Sequence, residues 1–317
     1  MEDVNDFKDR KGMLSFFGVL FLMMGLLSLL VFLVAIVSVS VMPDTVQQSQ
    51  PESMSSVFVG LAMYLVAAAV FITLGIGSIK TTRWARSLTL LLSWITFITG
   101  IYVLVFIIFW GSGMFEQIGS NAQNANVAFF AKVLLYTFTI FFLIILPGIF
   151  ILFYRREDVI KTVEKYDLKE RWTDSRPLPI LALCFLFVYA FFTPFFYIAY
   201  GFVAPFFGVF LTGLPAAIIL FANSAVSLYL ALEIYRMKGQ AWYYTLYLSL
   251  FWIASVLITL LFNDFLDIYK HMNLPENQIA LIENMGIMSN DSMFSMLLLY
   301  FIPYLGFLWY TKRYFTN

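Results

Sequence analysis

Two stretches of the chain decide the fold: residues 80–94 read KTTRWARSLTLLLSW, and residues 238–252 read KGQAWYYTLYLSLFW. Each opens with a lysine, and two tryptophans ten residues apart follow it at the same two distances. The matched residues are Lys80, Trp84 and Trp94 in the first stretch and Lys238, Trp242 and Trp252 in the second. Their recurrence at an offset of 158 positions indicates that the chain is a duplication of one unit.

Prolines provide further matches and mark points where helices bend. Pro147 and Tyr154 recur as Pro303 and Tyr310 at an offset of 156. Pro194 lies in another apolar run, and a proline inside a helix kinks it. The three prolines are candidate hinges, although inherited helix packing is the favoured explanation.

The composition excludes a water-soluble protein. Hydrophobic residues make up 62% of the chain and charged residues 12%, against about 25% charged in a soluble domain. Eight apolar runs are long enough to cross a membrane as helix. They are spans 1 to 8, at residues 13–42, 54–79, 87–110, 127–154, 178–207, 212–235, 243–263 and 293–310. Because these runs are continuously apolar and do not alternate, they predict an all-α polytopic membrane protein and exclude a barrel.

The basic residues predict the orientation of the spans. With a cytoplasmic N-terminus, 17 of the 19 Lys and Arg residues lie on the cytoplasmic side, and the exceptions are Lys132 and Lys270. This bias is the positive-inside rule, and it predicts that both termini are cytoplasmic. Since each half holds four spans, both halves enter the membrane from the same side, as two parallel four-helix repeats.

The predicted organisation has three parts: repeat one at 1–154, a cytoplasmic linker at 155–176, and repeat two at 177–317. Val159, Ile160, Val163 and Tyr166 fall on one face of a helix. We therefore expect the linker to form an amphipathic helix on the cytoplasmic surface.

The hairpin of spans 2 and 3 in repeat one suggests a bacterial membrane protein. The stretch from Gly75 to Arg86, with Lys80 and Trp84 inside it, resembles the inner hairpin of many uncharacterised bacterial four-helix membrane proteins. The resemblance implies a bacterial plasma membrane and no particular activity. Trp84, Trp242, Lys80 and Lys238 are predicted anchors at the cytoplasmic interface.

The sequence lacks the common motifs of catalysis and of nucleotide binding. It contains no Walker A loop, HExxH, dinucleotide fingerprint or nucleophile elbow. His271 is the single histidine and Cys184 the single cysteine. Glu233 is the acid closest to a span centre, and it lies three residues before Arg236, which predicts an ion pair. We predict no catalytic residue, no metal site and no cofactor.

One polar cluster lies at membrane depth. Asn223, Ser224 and Ser227 fall within span 6. Asn223 could line a cavity or bind a lipid headgroup, but the favoured interpretation is a hydrogen bond between helices. Small residues in spans 2 and 6 predict that these two helices form the seam between the repeats.

These features favour a non-catalytic membrane protein that serves as a subunit or scaffold of a membrane complex. The alternative is a passive or lipid-handling transporter with its path at the seam of spans 2 and 6. An intramembrane lipid-modifying enzyme is a weaker alternative. The expected partners are membrane lipids and other membrane protein subunits, and no nucleic acid.

Overall fold

The computed structural model describes residues 7–41, 51–111, 125–198, 200–272, 274, 279–280 and 290–315. Within these residues, eight helices are long and apolar enough to cross a membrane, which confirms the predicted number. They are span 1 (Lys11–Ser40), span 2 (Pro51–Ile79), span 3 (Arg83–Trp110), span 4 (Ala125–Phe138, Thr139–Ile145 and Leu146–Tyr154), span 5 (Leu178–Tyr197), span 6 (Gly213–Tyr235), span 7 (Gly239–Phe262) and span 8 (Asn290–Thr311).

The prediction that span 5 continues to residue 207 is wrong. The helix ends at Tyr197, and the chain then forms an antiparallel hairpin of β1 (Val203–Phe206) and β2 (Val209–Thr212). Gly201 and Gly208 have φ angles of 73° and 102°, which a helix does not allow. Short apolar strands cannot be distinguished from a buried helix by periodicity alone, which explains the error.

The linker does contain an amphipathic helix, the linker helix at Glu157–Tyr166. Val159 and Val163 are completely buried and join the core of span 1 and span 4 side chains that includes Leu14, Phe17 and Tyr154. The apolar face of the linker helix therefore packs against protein.

The described residues divide into two compact units. The first unit comprises 7–41, 57–105 and 133–178; the second comprises 51–56, 106–111, 125–132 and the described residues from 179 onward. The first unit has one core cluster, in which Phe17 packs edge-on against Phe150 and Phe153. The second unit has one core around Trp242 and Leu308 and another beneath the hairpin.

Span 4 widens into a π-helix at Thr139–Ile145, directly before Pro147. Proline has no N–H, so it cannot bond to the carbonyl of Leu143 four residues earlier. Span 3 approaches at this point: a Cβ atom on Gly100 would lie 2.7 Å from the Leu143 carbonyl carbon. The missing side chain at Gly100 thus lets two backbones touch.

The turn between spans 2 and 3 and the turn between spans 6 and 7 have the same backbone geometry. Thr81 and Met237 are both left-handed, with φ of 56° and 54°. Three hydrogen bonds recur between them at an offset of 156. They are Lys80 N to Ile76 O, Thr81 N to Ser78 O and Thr82 N to Gly77 O, matched by Arg236 N to Leu232 O, Met237 N to Ile234 O and Lys238 N to Glu233 O.

The tryptophans repeat at 158 and are therefore two positions out of register with this backbone. Trp84 is the second residue of span 3, whereas Trp242 is the fourth residue of span 7. The counterpart of Trp242 is Arg86, and both cap the end of a neighbouring helix. Arg86 Nη1 donates to the carbonyl of Tyr154 at 3.1 Å, and Trp242 Nε1 donates to that of Leu308 at 2.9 Å.

Candidate functional site

The polar cluster predicted on span 6 bonds to neighbouring helices. The indole Nε1 of Trp252 on span 7 donates to Asn223 Oδ1 at 2.7 Å. Ser224 Oγ donates to the carbonyl of Phe191 on span 5 at 2.6 Å, and Ser227 is buried. Both interactions join helices, which is the favoured role of the cluster. Sequence reasoning missed Trp252 as the partner of Asn223.

A groove of about 210 Å³, the aromatic groove, opens between spans 7 and 8 next to this hydrogen bond. Its walls are aromatic and aliphatic, formed by Trp252, Ile253, Val256, Tyr300, Phe301 and Tyr304. Ser249 is the one further lining residue.

Three of the polar groups that line the aromatic groove, those of Ser249, Trp252 and Tyr304, bond within the protein. Ser249 Oγ donates to the carbonyl of Thr245 at 2.8 Å. A hydroxyl has one proton, so the 2.7 Å bond between Ser249 and Tyr304 is donated by Tyr304. The Trp252 N–H is already bound to Asn223. The groove therefore presents an apolar surface.

The groove lies at the depth of the hydrocarbon layer. Ser249 is ten residues from the N-terminal end of span 7, which is about 15 Å along the helix at ~1.5 Å per residue. Val256 is six residues from the C-terminal end, or about 9 Å by the same measure. Positions this far from both ends of a membrane-spanning helix lie within the hydrocarbon layer.

The β-hairpin is attached to the C-terminal half of span 7. Ser255 Oγ and Thr259 Oγ1 accept bonds from the backbone N–H groups of Phe207 and Gly208, at 3.2 and 3.1 Å. Asn263 Nδ2 donates to the Gly208 carbonyl at 2.7 Å. Non-helical backbone at membrane depth needs such partners. The four-residue spacing of these polar side chains was the signal in the sequence.

The four predicted interface anchors differ in their surroundings. Trp242 is 2% exposed and packs in the core, so it presents no face to headgroups. Trp84 is half-buried beside Gly77, and Lys80 is exposed. Lys238 Nζ lies 2.6 Å from Glu233.

Glu233 confirms the predicted ion pair with Arg236, at 2.8 Å. The Glu233 side chain is 8% exposed and holds Lys238 as well. The charge of Glu233 is thus neutralised by Arg236 and Lys238, which lie in the turn directly after span 6.

The candidate hinges also differ. Pro147 is buried directly after the π-helix, and Pro194 is buried inside span 5, which continues as helix to Tyr197. Pro303 is exposed inside span 8. Whether any of them bends in function stays a prediction.

A second polar network lies in the first unit and is centred on Asp167, directly after the linker helix. Its carboxylate accepts two bonds of 3.1 Å from the Arg171 guanidinium and one of 3.1 Å from the backbone N–H of Arg83. Burial raises the pKa of Asp167, but the hydrogen bonds from Arg171 and Arg83 outweigh it, so the pKa lies below its ordinary value. The network attaches the segment after the linker helix to the start of span 3.

Asp9 and Arg10, directly before span 1, bond to the linker helix. Arg10 pairs with Asp158 at 3.1 Å, and its backbone N–H donates to Thr162 Oγ1 at 3.0 Å. Asp9 accepts bonds from the Lys11 backbone N–H and the Tyr166 hydroxyl, both at 2.9 Å, and the former lowers the pKa of Asp9 most.

Among the described residues, no group of three or more His, Cys, Asp or Glu side chains could hold a metal ion. No protein-family model, curated protein or solved structure matches this chain.

Proposed function

We propose that this membrane protein is non-catalytic and acts as a subunit or scaffold of a membrane complex. The observation that carries the proposal is that three intramembrane polar side chains of the second unit bond to neighbouring helices. Asn223 bonds to Trp252, Ser224 to the Phe191 backbone, and Ser249 to Tyr304. Groups engaged in this way hold helices together and are not oriented toward a substrate.

The acidic residue nearest the membrane interior supports the same proposal. Coupled transport and intramembrane catalysis use ionisable groups within the spans. Glu233 lies near the cytoplasmic end of span 6 and is bonded to Arg236 and Lys238. Its carboxylate stabilises the turn between spans 6 and 7 through these two ion pairs, which is a structural role.

We further propose that the chain is a parallel duplication in a bacterial plasma membrane, with both termini cytoplasmic. Support for the duplication comes from the two turns that share three hydrogen bonds and a left-handed residue at an offset of 156. A hydroxyl pair adds to it. Ser93 Oγ donates to the Thr89 carbonyl at 2.7 Å, as Ser249 does to that of Thr245.

The subunit proposal is tested by mild extraction of the tagged full-length protein from its native membrane. Quantitative mass spectrometry of the eluate should find at least one other membrane protein in a fixed ratio. An unrelated eight-span protein with the same tag is the control for carry-over. A single species with no partner above that control would overturn the proposal.

The alternative, a lipid-handling protein, is favoured by the aromatic groove between spans 7 and 8. The predicted path for such a protein ran along the seam of spans 2 and 6, and that seam stays a prediction. The groove lies instead within the second unit.

A further inference from the structure

We propose that the aromatic groove is a binding site for one acyl chain of a membrane lipid. The site goes beyond the scaffold function and does not depend on it, since a scaffold and a lipid-handling protein could both hold a lipid there. Its volume, its chemistry and its counterpart in the first unit support the proposal.

The volume suits a single hydrocarbon chain. The groove is open on one side and has a volume of about 210 Å³. On the measure by which one water molecule needs about 10–15 Å³, this space is large enough for several consecutive groups of a hydrocarbon chain. A transmembrane helix is about 10–12 Å wide and could insert only a side chain or two.

The chemistry of the walls requires an apolar ligand. Ser249, Tyr304 and Trp252 have their donors bonded within the protein. The remaining lining residues are Ile253, Val256, Tyr300 and Phe301, and none of the seven is charged. A polar headgroup would lose its hydration against these mostly apolar walls, whereas an acyl chain loses nothing.

The first unit fills the corresponding space. At the offset of 156, Val256 corresponds to Gly100, and Gly100 allows span 3 to touch the Leu143 backbone. Tyr304 corresponds to Gly148, where an added Cβ atom would lie 3.8 Å from the ring of Phe97. Phe97 in turn corresponds to Ile253. In the second unit, Val256 and Tyr304 take the places of two glycines, and Ile253 takes the place of the larger Phe97. The larger side chains keep spans 7 and 8 apart, and the smaller Ile253 leaves the space between them open as the groove.

The test is photo-crosslinking of the full-length protein in phosphatidylethanolamine vesicles. The vesicles contain a phosphatidylethanolamine with a diazirine at the middle of one acyl chain. Mass spectrometry should place the label on 249–256 and 300–304, at about tenfold the level on the span 6 peptide with Val226, which corresponds to ~1.4 kcal/mol of preference. Val226 lies nine residues from the cytoplasmic end of span 6 and is 44% exposed.

Two variants fill the groove. Val256→Trp should reduce the groove label about tenfold, which again corresponds to ~1.4 kcal/mol. Ile253→Phe introduces the side chain that the first unit carries at Phe97 and should reduce the label in the same direction, so the test survives if the tryptophan variant fails to fold. Val226→Trp is the matched control and should leave the groove label unchanged.

Three results would overturn the proposal. The first is uniform labelling of the groove and the Val226 peptide, and the second is a groove label that persists in a folded Ile253→Phe variant. The third concerns a protein occupant: a benzoylphenylalanine introduced at Ile253 in the native membrane should capture lipid. Capture of a protein there would assign the groove to a partner helix.

Discussion

The indole N–H of Trp252 on span 7 donates a 2.7 Å hydrogen bond to the side-chain oxygen of Asn223 on span 6. Hydrogen bonds between transmembrane helices contribute about 0.6–1.7 kcal/mol. Asn223→Leu and Trp252→Phe should each reduce stability, and the double variant should show a coupling energy of about that size, because the bond is lost only once. Unfolding of the detergent-solubilised protein measures all three.

The control for this cycle is Tyr247→Phe, which removes a polar atom from a 62% exposed ring on the same helix. It should leave stability unchanged within about 0.5 kcal/mol. Strict additivity of the Asn223 and Trp252 changes would show that the bond does not hold spans 6 and 7 together.

Gly100 allows spans 3 and 4 to touch, and this contact yields a second prediction. A Cβ atom at this position would lie 2.7 Å from the carbonyl carbon of Leu143, so one backbone must move. Gly100→Ala should therefore destabilise the protein by about 1–3 kcal/mol, the usual cost of overpacking.

Gly60→Ala on span 2 is the matched control, since among the described residues its added Cβ atom would meet no neighbour within 4 Å. It should leave the melting temperature unchanged or slightly higher, because alanine favours helix more than glycine does. Equal melting temperatures for the two variants would mean that spans 3 and 4 separate at no cost.

The eight spans could be predicted because hydrophobicity over about 20 residues outweighs local preference in a membrane. The hairpin could not: β1 and β2 are four residues each and as apolar as the helices around them. What stops span 5 is the backbone freedom of Gly201 and Gly208, together with hydroxyls on span 7 that are distant in sequence.

The site was predicted only in part. Asn223 was identified as a polar residue in an apolar helix, but its partner depends on which face of span 7 meets span 6. The matched tryptophans suggested an offset of 158, whereas the turn around Thr81 and Met237 repeats at 156. Rare residues are easy to match by eye, but backbone bonds determine which positions correspond. The comparison of the groove with the first unit requires the offset of 156, because only that offset makes Val256 equivalent to Gly100.

The hydroxyl of Thr259 provides a third prediction, for the hairpin. It accepts the Gly208 N–H at 3.1 Å and is fully buried. Thr259→Val keeps the shape but leaves that N–H unpaired, at a cost of about 1–3 kcal/mol. Hydrogen exchange at Gly208 should accelerate, whereas Thr99→Val, at an exposed position on span 3, should not change it. Unchanged exchange in Thr259→Val would show that the hairpin is held by its own strands.

The orientation of the chain gives a fourth prediction. The bias of Lys and Arg predicts a cytoplasmic C-terminus. A reporter that is active only outside the membrane should be silent when fused after Asn317 and active when fused in the loop between spans 3 and 4. Activity at Asn317 would invert the topology and remove the basis for two parallel repeats.

Asp167 gives the last prediction, a dependence of stability on pH. Its hydrogen bonds from Arg171 and Arg83 lower its pKa, so the folded protein favours the carboxylate. The resulting stabilisation is present above the ordinary aspartate pKa of about 3.9, and it is lost as the pH falls through the lower pKa of the folded state.

Asp167→Asn should cost about 1–3 kcal/mol at pH 7, and the difference from the unchanged protein should shrink in acid. Glu170→Gln, three residues away and exposed, should have little effect at either pH. Thermal unfolding between pH 7 and pH 3 measures both variants, and a difference that stays constant over this range would mean that Asp167 is held by packing and not by its charge.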